Sequence, residues 1–351
     1  MDLAILQFLK SLFKKTLIKF SQSVIIIIKV CGDNMEYKFR YNTYSDYLKN
    51  KYGEKIYKLP INIPATCPNR DGTLGYGGCI FCGEEGAGYE NLSNECSVRY
   101  QIDSNSGYIR KKYKAEKFIA YFQNFSNTYV PLEKFKEYII DSCQKDIVQI
   151  SISTRPDCVK NEYLEFLKGV NKDRNVEICF ELGLQTVNYH TLDKINRGHG
   201  LAEFIDAVLR IKRYGFEICV HIILDLPWDD VRDIIEAAKI ISVLGIEQVK
   251  LHSLYIVKNT VLEKAYNKNE VELLSKDEYI RRAITFLEYL SPGIIIQRLI
   301  GRAPEKNTVL VNWNTSWWKI KDEIDELMDK MESFQGKKFN YMGGNILANL
   351  L

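Results

Sequence analysis

The sequence predicts an α/β protein built around a parallel sheet. Six apolar runs of strand length, rich in β-branched and aromatic residues, alternate with amphipathic helical stretches from Lys55 onward. Polar residues collect where those runs end. Strands joined by right-handed helical crossovers make a sheet that is either doubly wound or curled toward a barrel, and in both cases chemistry gathers at the carboxyl ends of the strands.

The runs are IYKLPINI (56–63), KFIAYFQNF (117–125), IVQISIST (147–154), VEICFELGLQ (176–185), EICVHIILDLP (217–227) and QVKLHSLYIV (248–257). Helical patterns lie between them, among them PLEKFKEYIIDSCQ, NEYLEFLKGVNK, LAEFIDAVLRIKRYG and VRDIIEAAKIISVLG. Pro131 stands where a first helical residue belongs, and Gly215 and Gly245 stand where helices end. The polar strand ends are Asn127 and Thr128, Ser153 through Asp157, Glu181 and Gln185, Asp225, and Lys250 with His252. Any one of them alone suits a helix cap. Glu181 is different, because an unpaired carboxylate inside an apolar strand is costly and calls for a specific partner. His221, within VHIIL, reads as a core histidine, and His199, in NRGHG, as exposed on the rim.

The 351 residues carry a net charge of +3 with 26% charged, too near balance to single out a nucleic-acid binder, although local basic patches are compatible with it. Residues 1–34 differ from the rest: LAILQFLKSLFKKTLIKF is basic and amphipathic, and VIIII follows. They read as an extension outside the working fold, with Met35 as a natural start. No stretch reaches the roughly 18–20 uninterrupted apolar residues of a membrane span. The nine cysteines are scattered and no secretory signal precedes them, which points to a reducing, cytoplasmic setting. Cys143, Cys179 and Cys219 read as small core residues.

Cys67, Cys79 and Cys82 lie in CPNRDGTLGYGGCIFC, just after the first strand. Three thiolates without a fourth ligand suit an iron–sulfur cluster with one exchangeable iron. A tetrahedral zinc site completed by Cys96 is the alternative, although only Cys79 and Cys82 have the CxxC spacing of a zinc ribbon. A non-enzymatic zinc-bearing nucleic-acid-binding module would follow from that alternative.

A three-cysteine loop after the first of six βα units, with Phe81 before the last cysteine, resembles the radical S-adenosylmethionine (SAM) superfamily. The spacing C-x11-C-x2-C, with STRPD (153–157), ELGLQT (181–186), NRGH (196–199) and DLP (225–227), resembles its YhcC/YtqA-like branch and, more distantly, the radical SAM domain of the Elongator catalytic subunit. The resemblance covers about residues 35–306. It implies a partial (β/α)6 TIM-like barrel over 35–257 and a small carboxyl-terminal α/β extension over 258–351. It also implies that Cys67, Cys79 and Cys82 ligate a [4Fe–4S] cluster whose fourth iron is chelated by SAM, reduced by a low-potential donor such as flavodoxin or ferredoxin. Phe81 would pack beside the adenine. Ser153, Arg155, Glu181 and Gln185 would contact ribose and methionine, and Arg197 the SAM carboxylate. Asn127 and Thr128 occupy the place of a glycine-rich pair in relatives. Asp225 matches the Elongator-like DLP, and Trp228 stands where a glycine is common. Cys158 is a candidate hydrogen donor to a product radical, against a default of helix-start packing.

The same resemblance makes the wobble uridine of tRNA the leading substrate class, with a small metabolite or a protein side chain as alternatives. The tail after the barrel is short for an acetyltransferase domain and the remaining cysteines do not cluster, so acetyl transfer and sulfur insertion are not the expected reactions, and rearrangement or trimming of a side chain already on the base is compatible with the sequence. Arg298, Arg302 and Lys306, after the strand IIIQ, are candidate RNA contacts, with Trp313, Trp317 and Trp318 nearby either to stack on a base or to anchor the following helix.

Overall fold

A computed structural model describes residues 40–84, 86, 91–302 and 307–347. The amino-terminal stretch 1–34 and Lys306 lie outside the described residues. The elements run α1 (Tyr44–Tyr52), β1 (Ile56–Ile61), α2 (Val98–Tyr113), β2 (Lys117–Phe122), α3 (Leu132–Ser142), β3 (Ile147–Thr154), α4 (Asn161–Arg174), β4 (Glu177–Gln185), α5 (Tyr189–Lys194), α6 (Leu201–Arg213) and β5 (Glu217–Ile223). They continue as α7 (Val231–Val243), β6 (Gln248–His252), β7 (Ile256–Val257), α8 (Val261–Asn267), α9 (Lys276–Tyr289), β8 (Ile295–Arg298), β9 (Thr308–Leu310) and α10 (Trp317–Lys330).

Seven strands in the order β1-β2-β3-β4-β5-β6-β8 form one parallel sheet, curled as a partial barrel, and β7 pairs antiparallel with β9. All six apolar runs supply strands of the large sheet, and the seventh comes from the carboxyl-terminal region. The run at 248–257 is not one strand. It breaks at Leu254, whose N–H is taken by Asp225 Oδ1 at 2.7 Å, while Ser253 Oγ donates to Asn312 Oδ1 at 2.6 Å. Gly215 (φ 75°) and Gly245 (φ 63°) adopt the left-handed backbone that ends α6 and α7, and Pro131 precedes α3 by one residue.

Alternation along the strands sorts the side chains. On β4, Ile178, Phe180, Leu182 and Leu184 join the apolar core shared with the surrounding helices, so Glu177, Cys179, Glu181 and Gly183 face the barrel interior. The interior is therefore polar. At its amino-terminal end α1 acts as a plug: Lys51 Nζ bridges Glu177 and Glu217 at 2.5 and 2.7 Å, and Tyr52 and Tyr47 donate to the same two carboxylates.

Halfway up, Glu181 is fully buried and fully partnered. One oxygen accepts from Lys58 Nζ and from Ser151 Oγ at 2.8 Å, and the other from His221 Nε2 at 2.9 Å and from Lys250 Nζ. Lys58 also donates to Gln297 Oε1 at 2.8 Å, so a side chain of the first strand reaches both the middle and the last strand of the sheet. The partner demanded by the sequence is thus a set of four.

Burial opposes ionisation of Glu181, but Lys250, Lys58 and His221 outweigh it and hold the carboxyl well below its ordinary 4.5. Its stabilisation is complete above the pKa of the unfolded chain and is lost as acid takes the pH down through the lower folded-state value. Glu181→Gln should cost about 3–5 kcal/mol near neutral pH, the usual effect of breaking a buried ion pair from one side, read from urea unfolding. The loss relative to wild type should shrink in acid; a constant loss from pH 7 to pH 2 would contradict the assignment.

Candidate active site

The residues between Cys67 and Cys79 close on themselves. Leu74 N–H donates to Pro68 O at 2.8 Å, Gly72 N–H to Gly75 O at 3.0 Å, and Gly78 N–H to Asn69 O at 2.8 Å, so the long spacer loops out and returns to its base. Left-handed backbone at Gly72, Gly77 and Gly78 makes that return feasible. The loop is clasped from outside by the segment after α5: Asn196 Nδ2 donates to Gly78 O at 2.8 Å, Asn69 Nδ2 donates to Asn196 O, and Ile80 N–H donates to Ile195 O at 3.0 Å. Ile80, Phe81 and Trp228 pack against Leu192, Ile195, Leu226, Leu254 and Leu262, an apolar pad that fixes the loop on the rim.

Cys67, Cys79 and Cys82 line one cavity of about 250 Å³ at the carboxyl end of the sheet. A different guanidinium faces each sulfur: Arg155 Nη1 is 3.8 Å from Cys67 Sγ, Arg197 Nη1 is 3.6 Å from Cys79 Sγ, and Arg70 Nη1 is 3.4 Å from Cys82 Sγ. Arg155 is fixed by Asp157 through contacts of 2.9 and 2.7 Å and by Arg197 O at 2.8 Å. Arg197 lies over Gly183 and donates to its carbonyl; a Cβ at Gly183 would come within 2.9 Å of both Arg197 Nη2 and Gln185 Nε2. Gln185 itself holds φ 78° after a bulge in β4, a strained backbone for a residue other than glycine.

Phe81, Ser153, Arg155, Glu181, Gln185, Arg197, Arg298 and Arg302, all picked out in the sequence, line this cavity. Others do not. Asn127 Nδ2 is spent on the carbonyls of Phe122, Asn124 and Ser153, and Thr128 Oγ1 on Thr154 and on Cys158 O, so both brace the loop after β2. Asp225 is buried beneath the rim, where it holds Leu254. Cys158 lines a separate groove with Tyr129 and Tyr163, and burial pushes its thiol up to about 11. His199 is buried rather than exposed; burial, then Arg197 and Arg155, push it down to about 3, so it is neutral. His221 faces the cavity instead of the core. Trp313 Nε1 donates to Leu274 O at 2.7 Å and packs on Tyr279, while Trp317 and Trp318 are exposed at the start of α10.

Sequence reasoning missed Arg70, Tyr121, Gln123, Phe125 and Tyr255. Alternation was the available signal for three of them, since Tyr121, Gln123 and Phe125 are two apart and end on the cavity side.

In a tetrahedral zinc thiolate site the sulfurs sit about 3.8 Å apart, given Zn–S bonds near 2.3 Å. Among the described residues only Glu181, Cys219 and His221 bring three ligand atoms within 4.8 Å of one another; the loop thiols, with or without Cys96, are spread wider. Lys58 and Lys250 occupy the Glu181 oxygens and oppose a cation there. Three wide-set thiols opening on a cavity fit a multinuclear cluster with an unligated corner. The buried Arg197 Nε–H, which has no partner, fits a carboxylate seated beside it.

Residues 62–241 match the radical SAM superfamily, and residues 246–330 match the radical SAM C-terminal domain. The chain belongs to the radical SAM superfamily, whose enzymes use a [4Fe–4S] cluster and SAM. It is 34% identical to YtqA of Bacillus subtilis (strain 168) over 301 residues, 86% of this chain and 93% of that one. It is 35% identical to MJ0486 of Methanocaldococcus jannaschii over 316 residues, 89% of this chain and 96% of that one. YhcC of Escherichia coli (strain K12) is 29% identical, covering 82% of this chain and 92% of its own. The structure of Methanocaldococcus infernus Elp3 superposes with a TM-score of 0.60 at 15% identity, over 80% of this chain. The match spans 64% of the Elp3 chain, and the likeness is one of fold.

Asp225 provides a test of its structural position. Burial raises it from 3.8 to about 7, against the lowering effect of the Leu254 N–H. The folded state therefore holds an extra proton between those values, and its contribution to stability falls as the pH rises through that window. Asp225→Asn keeps an acceptor for Leu254 and removes the titration. Its urea midpoint relative to wild type should climb from pH 4 to pH 7; a pH-independent difference would place Asp225 in water.

Proposed function

We propose that Cys67, Cys79 and Cys82 hold a [4Fe–4S] cluster, that SAM sits beside it in the cavity, and that the enzyme modifies the side chain of a wobble uridine in tRNA. The observation that carries the first part is the set of three cysteine sulfurs in one cavity, each faced by its own guanidinium. When bound and reduced by a low-potential donor such as flavodoxin or ferredoxin, the cluster supplies reductive cleavage of SAM to methionine and a 5′-deoxyadenosyl radical.

The protein's part is positioning and exclusion. Arg197, steered by Gly183, offers a planar guanidinium to the SAM carboxylate. Ser153 and Gln185, at the ends of β3 and β4, offer hydrogen bonds to the ribose, and Phe81 offers an apolar face to the adenine. Arg155, locked by Asp157, and Arg70, tied to Gly83 O at 3.1 Å, hold positive charge against the sulfurs. Glu181 keeps Lys58 and Lys250 in place beneath them. The apolar pad under Phe81 and Trp228 shields the rim from water.

Support for tRNA comes from the mouth of the cavity. Arg302 is exposed there, with Arg298, Tyr255 and Phe125 behind it, a mixture of guanidinium and aromatic groups suited to a phosphate and an unstacked base. The fold shared with Elp3 is consistent with this reading.

Protein reconstituted anaerobically with iron and sulfide should form 5′-deoxyadenosine from SAM and dithionite, and Cys79→Ala should not. A colourless protein that retains stoichiometric zinc and leaves SAM intact would remove the radical reading. Transfer RNA from a strain lacking the gene, incubated with the active enzyme, should gain a changed wobble nucleoside by mass spectrometry; unchanged tRNA would remove the substrate. Arg302→Glu should weaken tRNA binding and lower the slope of log affinity against log salt by about one, as expected for one lost phosphate contact.

A further inference from the structure

Arg298 lines the cavity and faces neither a carboxylate nor a thiol among the described residues. Arg155 has Asp157, Arg70 and Arg197 face thiols, and Lys58 and Lys250 share Glu181. Arg298 Nη2 lies 2.9 and 3.0 Å from the two ring nitrogens of His252, so the guanidinium lies across the imidazole face. His252 stacks in turn on His221, with ring centroids 5.1 Å apart. Burial, then Arg298 itself, holds His252 well below its ordinary 6.5, so the ring is a neutral platform and supplies no charge. No carboxylate among the described residues pairs with Arg298, and its Nε–H is buried without a partner.

Two neighbouring donors share this want of an acceptor. Lys250 spends two of its three N–H donors, one on Glu181 and one on Tyr121 Oη at 3.2 Å. Tyr121 Oη also accepts from Ser153 Oγ at 3.2 Å, and in these contacts its own proton is not spent. Arg298, Lys250 and Tyr121 line the same cavity as the cysteines.

The geometry points to an oxyanion subsite formed by Arg298, Lys250 and Tyr121, which takes an anionic group of the substrate, a carboxylate or a phosphate, and orients the reacting part of the molecule. This rests on the reading of the cavity as the place where SAM and substrate meet. SAM has one carboxylate, for which Arg197 stands ready beside Cys79. Arg302, exposed at the mouth, suits the outside of a bound nucleic acid, whereas the half-buried Arg298 suits a group carried inward on an extruded nucleotide. A partly buried guanidinium with an orphaned donor is costly when empty and binds a planar oxyanion well, which makes the subsite selective as well as attractive.

The test is calorimetric titration of the anaerobically reconstituted, SAM-loaded protein with sodium acetate and, separately, with sodium phosphate at constant ionic strength. Wild type should bind at least one of the two anions. Arg298→Gln should weaken that binding about tenfold, the loss of one charge-assisted contact, with Arg298→Lys in between. Acetate alone would identify a carboxylate on the substrate's side chain, and phosphate alone the backbone of the target nucleotide. Tyr121→Phe, which keeps the ring in place, should weaken the same anion and serves as the second variant if Arg298→Gln fails to fold, judged by iron content and melting temperature. Binding of neither anion by wild type, equal binding by Arg298→Gln, or a parallel loss of SAM affinity in that variant would overturn the proposal. Intact anion binding in a protein that makes no 5′-deoxyadenosine would instead overturn the radical reading alone, and the converse result would overturn the subsite alone.

Discussion

One buried carboxylate sets the terms for the rest of this barrel. Glu181 stands at the centre of β4 with no exposed surface, and it is stable there only because Lys58, Lys250, Ser151 and His221 converge on it from β1, β6, β3 and β5. Those partners come from both sides of the sheet, so satisfying one group requires the sheet to curl. Lys58 extends the constraint to the last strand through Gln297. An open, flat, doubly wound sheet with the same strand order would leave Lys58 and Lys250 on one face but too far apart to share a carboxylate. The curl, and hence the concavity that holds the site, is tied to this polar centre as much as to the apolar layer outside it.

The site is assembled at the upper end of that polar column by three loops with different jobs. The cysteine loop supplies sulfur, the STRPD segment supplies an arginine locked by its own aspartate, and the segment after α5 supplies a second arginine together with the asparagine that clasps the first loop. Each guanidinium is held by protein carbonyls or a carboxylate as well as by a sulfur. The positive charge therefore stays in place whether or not the thiols are ionised, a preorganised field around the three sulfurs. Gly183 has no Cβ because Arg197 and Gln185 occupy the space it would fill.

Much of this was legible in the sequence because the strongest signals are periodic or covalently close. All six apolar runs became strands of one parallel sheet. The cysteine spacing and the STRPD, ELGLQT and NRGH segments pointed to one rim, and their cysteine, arginine and glutamate side chains do share one cavity. What was not legible depends on the direction in which a side chain leaves the rim. Asn127 and Thr128 come shortly after Gln123 and Phe125 on the same loop, yet the chain turns at Phe125, with φ 52°, and the first pair is spent on the loop and its neighbours while the second lines the cavity. Asp225 follows β5 as a rim residue should, but it is used to break the next strand. His199 is buried instead of exposed, and His221 is enclosed in the polar interior beside Glu181 instead of in the apolar core, because neighbours in sequence did not reveal which face was apolar.

The distribution of charge inside the barrel separates what the fold needs from what it does not. Lys51 with Glu177 and Glu217, and Lys58 and Lys250 with Glu181, form a ladder in which each cation has an acid within contact distance, as a buried interior requires. The ladder stops below Arg298. A side chain that served only to stabilise the sheet at that height would be apolar or paired, because an unmatched guanidinium against a neutral imidazole adds desolvation cost and no compensating attraction. The last strand of the sheet comes from the carboxyl-terminal region and not from the six units that carry the cysteines and their arginines. Sulfur-facing charge thus sits on one arc of the barrel and the uncompensated cation on the other, the asymmetry on which the proposed division of the cavity between cofactor and substrate rests.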